Sequence, residues 1–293
     1  MYRHVPQTKK NGDPRSTYDA YESLKEIQRK IVDRILSKVQ FPQYLHGGIR
    51  DRLNPRSIYA NARPHCGQRQ FITIDIKDFF PSISSWHVQR IFQGLFGFSK
   101  NVSLLLAQLS TRLGVLPQGA STSSYLANLI FWDIEPTLEQ FFRDEGITYS
   151  RFADDITLSA DHELSREQKS NAISRVINML AQKGCSQKRS KLHIRKRGQT
   201  IIDKAGNMPM TVTGLGVYND KPNISKAERK RIRASVKEIE NLAVQGVSPE
   251  ALENFMNRAS GRIGRLKACR YTGANDLFQR IRSVRCKNFL LPK

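Results

Sequence analysis

Three aspartates define the chemistry open to this chain. Asp154 and Asp155 are adjacent in Phe152-Ala153-Asp154-Asp155, and Asp75 closes the run Phe71-Ile72-Thr73-Ile74-Asp75. Adjacent carboxylates raise each other's cost of ionisation, so such a pair calls for a cationic partner. The pair lies between two apolar-alternating runs, Ile147 to Phe152 and Ile156 to Ala160, a pattern that predicts a β-hairpin with the acids at its tip. Carboxylates on neighbouring strands form an oxygen site for hard divalent cations, and Mg2+ held by carboxylates and substrate phosphates is its usual form. Two such ions, typically about 3.5–4 Å apart, suit in-line displacement at phosphorus. Seen alone, an Asp-Asp pair is more often a solvated turn, so the surrounding residues decide.

Asp75 opens Asp75-Ile76-Lys77-Asp78-Phe79-Phe80-Pro81-Ser82, where the backbone carbonyl of Ile76 offers a further metal oxygen. Phe80, five residues past Asp75, is placed to close the space beneath a nucleotide sugar. Strand alternation sends one of Phe79 and Phe80 into the core. Leu116-Pro117-Gln118-Gly119-Ala120-Ser121 is a turn of small residues that a substrate can approach closely. Gln118 can hydrogen-bond a nucleotide or template there.

The elements that must carry these groups read as follows. Residues 1–17 are polar and turn-rich, with Lys9 and Lys10 near Arg15. A helix is expected over Tyr18 to Val39, and residues 43–70 read as irregular and basic, with a turn at Gly47-Gly48. After the strand at 71–76 come helices near 85–96, 101–112 and 122–142, then the hairpin at 147–160. Ser165 to Gln168 is a capping box opening a helix to Lys183. Short strands are expected near 191–195, 199–203 and 209–218, with a turn at Lys204 to Asn207. Helices follow from Ser225 and from Ser248-Pro249, with a last one over 275–286. The fold class is α+β.

Charge points to the partner. The chain carries 48 basic and 26 acidic residues, a net of +22, which makes nucleic acid the default ligand. The excess is +8 over residues 1–70, +3 over 71–220 and +11 over 221–293. The nearly balanced middle holds the acids, and the cationic flanks suit phosphate backbones. Lys226, Arg229, Lys230, Arg233 and Lys237 recur at helical spacing, as do Arg258, Arg262 and Arg265. No apolar run reaches the roughly 18 residues of a membrane span. The N-terminus lacks a signal-peptide core. The four scattered cysteines read as reduced thiols of a cytoplasmic protein with no membrane partner.

The order of the pieces matters more than any one of them. An Asp with an aromatic five positions on, then Leu-Pro-Gln-Gly-Ala, then Phe-Ala-Asp-Asp, resembles the palm of reverse transcriptases. Asn61-Ala62-Arg63-Pro64-His65, Val212-Thr213-Gly214 and Asp-Phe-Phe-Pro-Ser resemble the retron group in particular.

The resemblance implies a right-hand polymerase with short fingers, an RRM-like palm (an antiparallel sheet backed by helices) and a helical thumb. Fingers over 1–70 and partly 85–115, palm over 71–220 and a basic RNA-binding thumb over 221–293 are the expected divisions. It further implies that Asp75, Asp154 and Asp155, with Ile76, hold two Mg2+ ions. Phe80 becomes a gate against ribonucleotides. Gln118, Gly119, Lys191 and Arg15 become nucleotide contacts, Leu215 to Tyr218 a primer grip, and Asn61 and His65 RNA contacts beside the thumb cations. The implied partners are a structured noncoding RNA as template and primer, an RNA–DNA hybrid product, deoxynucleoside triphosphates and a separately encoded effector protein. The implied role is RNA-linked DNA synthesis in antiphage defence.

Phe152 departs from the group's tyrosine, Ser121 from its proline and Leu192 from its threonine. The rivals are another bacterial reverse transcriptase (defence or intron type), a catalytically silent RNA-binding scaffold, and an RNA-dependent RNA polymerase, against which Phe80 argues.

Overall fold

In the computed structural model, which describes residues 1–8, 12, 14–197, 201–203, 206–208 and 210–289, the chain opens with an antiparallel hairpin of β1 (Tyr2–Thr8) and β2 (Pro14–Ala20). Lys9 and Lys10 lie outside the described residues. The helix expected from Tyr18 starts later, as α1 (Glu22–Arg34), with a 3-10 turn at Leu36–Lys38. Thr17 and Tyr18 pair with Val5 and His4 instead, and the Tyr18 N–H goes to the Gln118 carbonyl, so the hairpin and the loop beside it use backbone groups that a helix would need.

β3 (Leu45–His46) and α2 (Ile58–Ala62) follow, then a 3-10 turn at Arg63–His65 and β4 (Gln70–Asp75). Next come α3 (Phe79–Ser82), α4 (Ser85–Arg90), a π-helical turn at Ile91–Leu95 and α5 (Lys100–Ser110). The expected long helix over 122–142 is two, α6 (Ser123–Leu129) and α7 (Glu135–Asp144). Pro136 explains the break: it is tolerated in a first turn but not inside a continuous helix.

β5 (Thr148–Phe152), β6 (Asp155–Ala160) and α8 (Arg166–Gln182) complete the central layer, α8 opening on the expected capping box. Arg189–Lys191 is a 3-10 turn, and the strand expected at 191–195 is β7 (His193–Lys196). β8 (Ile201–Asp203) and β9 (Gly206–Met208) pair with each other. The turn expected at 204–207 falls partly outside the described residues, as do positions 199, 200 and 209 of the neighbouring strands. The remaining strand signal is broken into β10 (Thr211–Val212) and β11 (Leu215–Gly216) by left-handed Thr213 and Gly214. Helices α9 (Lys226–Val244), α10 (Pro249–Ala268) and α11 (Ala274–Phe289) end the described chain.

The main sheet has the order β3-β5-β6-β4-β7, antiparallel except for the short parallel β3–β5 pair. Its faces differ. Ile72, Ile74, Ile156, Leu158 and Tyr149 point to one side and pack with Leu126, Phe142, Val176 and Leu180 of the helices. By strand alternation Thr73, Asp75, Asp155, Thr157 and Phe152 occupy the other. A second apolar core joins Val212, Leu215 and Val217 to Ile232, Val236, Met256, Ile263 and Ile281. The result is the α+β architecture expected: a helix-backed sheet followed by a helical C-terminal part.

Candidate active site

β4 and β6 pair so that Asp75 stands directly opposite Asp155. The β5–β6 hairpin turns through Ala153 (φ 53°) and Asp154, so Asp154 is at the tip and Asp155 begins the next strand. The Asp154 carbonyl accepts from the Ile76 N–H at 2.9 Å, tying the tip to the end of β4. The bridge between Ile76 and Gln187 uses the flanking carbonyls of Asp75 and Ser186, not that of Ile76.

Crowding shows in the protonation behaviour. Burial, Asp154 and Asp75 push the Asp155 carboxyl up to about 7. Burial, then Asp75, also raises Asp154. Lys191, at the end of the 189–191 turn, donates to Asp75 Oδ2. Burial pulls its ammonium down, but the hydrogen bond and charge of Asp75 outweigh this and raise it. A cation therefore already sits on the carboxylate that the sequence marks as a metal ligand. The oxygen-only donor set, unfavourable when empty of charge, fits a hard divalent ion. Among the described residues no three His, Cys, Asp or Glu side chains close into a metal cage. An open site of this kind suits an ion that keeps waters and takes substrate oxygens.

The first hairpin reaches this centre. Arg15 Nε donates to Gln118 Oε1 at 2.9 Å, and the Tyr18 N–H donates to the Gln118 carbonyl at 2.8 Å. Gly119 (φ +107°) is required here, because a Cβ would meet the Tyr18 carbonyl at 2.6 Å. Arg15 is also close enough to lower Asp154 electrostatically. Phe79 is the buried ring, stacked on Phe131 with centroids 6.3 Å apart, and Phe80 is half-buried. Helical rotation in α3, not strand alternation, separates the two rings.

Two expected RNA contacts are corrected. Asn61 and His65 are fully buried. His65 lies beneath the polar face of the sheet, its ring nitrogens 2.7 Å from Ser159 Oγ and Ser150 Oγ. Burial pushes its imidazole down to about 3. Two serines on adjacent strands need a partner, and a neutral imidazole supplies both a donor and an acceptor. The element is a fastener between α2 and the sheet, out of reach of RNA.

The C-terminal cations are at the surface as expected: Lys226, Lys230, Arg233, Lys237, Arg258 and Arg262 are exposed, and Arg229 and Arg265 half-exposed. Tyr271 was not singled out by sequence. Arg229 and Arg233 lie 5.5 and 5.6 Å from its ring centroid, and Arg233 donates to its hydroxyl. Tyr271 follows Arg270, which takes the left-handed position (φ 54°) where α10 ends and glycine is usual. Leu215 and Val217 of the expected primer grip are buried, and the Tyr218 hydroxyl accepts from the Met210 N–H.

A basic groove was also missed, because it is assembled from three separate segments. Its volume is about 1270 Å3, and Arg29, Lys38, Arg50, Arg52, Ser121 and Ser124 are among its lining residues.

Two carboxylate strands in register, a lysine on one acid and a Pro-Gln-Gly loop against the first hairpin make up the candidate site. The family model for reverse transcriptase (RNA-dependent DNA polymerase) matches residues 7–245, and the chain belongs to that family. Within it the chain is of the bacterial retron type. It is 35% identical to the Retron Se72 reverse transcriptase of Salmonella heidelberg (strain 579083-10), over 92% of this chain and 69% of that protein. It is 30% identical to the Retron Ec86 reverse transcriptase of Escherichia coli, over 81% of this chain and 70% of that one. Apo telomerase from Candida tropicalis is similar at a TM-score of 0.48, with 11% identity over 92% of this chain and 49% of that one. The chain is thus an RNA-directed DNA polymerase, of a family that works with divalent metal ions on RNA templates. No helix among the described residues is long and apolar enough to cross a membrane.

Proposed function

We propose that this polymerase copies a structured noncoding RNA into RNA-linked single-stranded DNA, with Asp75, Asp154 and Asp155 as the ligands of two Mg2+ ions. The observation that carries the reading is the Asp75–Asp155 register with Asp154 on the adjoining turn. When bound, divalent ions supply Lewis-acid activation of the primer hydroxyl and charge neutralisation at the leaving pyrophosphate. The carboxylates hold and space those charges. Lys191, resting on Asp75 in the free protein, swings to the triphosphate of an incoming deoxynucleotide. Arg15 and Gln118 meet that nucleotide from the opposite side. Phe80 lies under the sugar and disfavours a 2′-hydroxyl.

The template strand runs through the basic groove past Ser121 and Ser124, and the thumb cations of α9 and α10 hold the folded RNA by its phosphates. In this reading residues 1–70 and part of 85–115 act as fingers, 71–220 as palm and 221–293 as thumb. The RNA-linked product serves antiphage defence in the cytoplasm together with a separate effector protein.

Replacing Asp154 and Asp155 with Asn tests the reading. Cutting cDNA synthesis by at least about 1000-fold, with RNA affinity unchanged, is the expected result. Synthesis at the wild-type rate would sink the assignment. Sequencing the co-purifying nucleic acid before and after ribonuclease decides the product: RNA-linked DNA of one defined sequence is expected.

A further inference from the structure

The hairpin that presents Asp154 and Asp155 turns on a strained residue. Ala153 has φ 53°, a conformation in which its Cβ crowds the following carbonyl. Such a residue persists only where its surroundings over-determine it. Its N–H donates to the His46 carbonyl at 3.0 Å. Its carbonyl accepts from Arg151 Nη1 at 3.1 Å. The same guanidinium reaches Glu135 Oε1 and Oε2, both at 2.7 Å, and the Asn128 carbonyl at 2.9 Å. Asn128 in turn donates to the Gly47 carbonyl at 2.9 Å, beside the strand that holds the Ala153 N–H.

Arg151 and Glu135 are both fully buried, Arg151 on the helix-facing side of the sheet, away from substrate. A buried ion pair is a weak source of stability, since apolar residues of the same volume often serve as well. Stability alone therefore does not explain a guanidinium with all three nitrogens hydrogen-bonded behind the turn that carries the acids.

We infer that Arg151, braced by Glu135, is a positioning residue that fixes the Ala153 carbonyl and so sets where Asp154 and Asp155 stand relative to Asp75. This rests on the reading of those aspartates as metal ligands. Arg151 touches neither substrate nor metal. It acts through the backbone of the turn, locking from behind what the Asp154–Ile76 hydrogen bond locks from the front.

The test uses the full chain with its RNA. Arg151→Lys keeps a cation against Glu135, but one ammonium cannot span Glu135, Asn128 and Ala153 together. Arg151→Met with Glu135→Gln removes both charges and leaves an acceptor for the Tyr149 hydroxyl, which now bonds Glu135 at 2.6 Å. Both variants should keep RNA binding and a cooperative melt, and lose about 10- to 100-fold in kcat. The KM for deoxynucleotides should stay within about threefold. Mn2+ binding without substrate, read by electron paramagnetic resonance, should weaken about tenfold. Folded variants with wild-type kcat and Mn2+ affinity overturn the inference, and so does a loss that only tracks the unfolded fraction. Asp154→Asn with Asp155→Asn is measured alongside. Activity surviving in that control rejects the assignment of the site, while the Mn2+ and kcat changes of the Arg151 variants report on the brace.

Discussion

The sheet and the C-terminal helices handle charge in opposite ways. In the sheet, like charges are forced together on rigid strands, Asp75 against Asp155, with one lysine in compensation. On α9 and α10, cations are spread along exposed faces, and Arg229 and Arg233 are steadied by a single tyrosine. Chemistry at phosphorus requires atoms fixed to fractions of an ångström. Retention of a polyanion requires only enough positive charge within reach of phosphates. The difference explains why one region carries spaced motifs and the other carries composition.

Breaking the C-terminal side gives the largest expected effect beyond loss of the aspartates. Arg229→Ala with Arg233→Ala should weaken RNA binding by about 100-fold near physiological salt and lower the salt slope by about 1 to 2, roughly one unit for each phosphate left without its guanidinium. At saturating RNA the rate per bound complex should stay near wild type. The aspartate variants should show the reverse pattern. A filter-binding titration at several salt concentrations separates the two. An unchanged slope would mean these guanidiniums hold Tyr271 and not RNA.

The correction at His65 sharpens the same division. A buried neutral imidazole, with its ordinary value near 6.5 lowered to about 3, favours the fold only while uncharged. The unfolded chain takes up a proton near pH 6.5 and the folded chain does not, so stability falls as pH drops below that value. By pH 5 the loss is about 2 kcal/mol. Thermal melts from pH 7.5 to 5 should show it, and His65→Gln should flatten the dependence without moving the RNA salt slope. A changed slope would return His65 to the RNA interface.

Local patterns exposed much of this. Two-residue alternation marked β4, β5 and β6, and the acids at their ends marked the site, because both signals lie within a few consecutive residues. The pairing of Tyr18 into β2 was hidden, since its hairpin partner His4, fourteen residues back, carries no local mark. Arg151 read as an ordinary strand residue: its four bonds run to Glu135, Asn128 and Ala153, and only the tertiary fold puts a helix terminus behind that strand. Asn61 and His65 were legible as a motif but not as buried ones. A histidine says that hydrogen bonds matter, not whether RNA or two serines share them. Tyr271 was silent because its partners lie on another helix, Arg233 at a separation of 38 residues.

The smallest effect belongs to Asp155, and its sign distinguishes a charge-crowded site from a charge-spreading one. Burial and the neighbouring acids raise this carboxyl to about 7 in the folded protein, against about 3.9 unfolded. Between those values the folded chain binds more protons than the unfolded chain. Stability of the metal-free protein therefore falls as pH rises from about 4 to 7 and levels off above, opposite in sign to the His65 effect. Asp155 is exposed at its tip, so solvent screening reduces the contribution to about 1 kcal/mol. Asp155→Asn should remove this component, raising the metal-free melting temperature at pH 8 by a few degrees and changing it much less at pH 4. Mg2+ should stabilise the wild type more at pH 8 than at pH 6, because below pH 7 the ion must displace a proton to bind. Equal stabilisation at the two pH values would show that Asp155 is already ionised without metal, and that Lys191 neutralises the whole carboxylate cluster and not Asp75 alone.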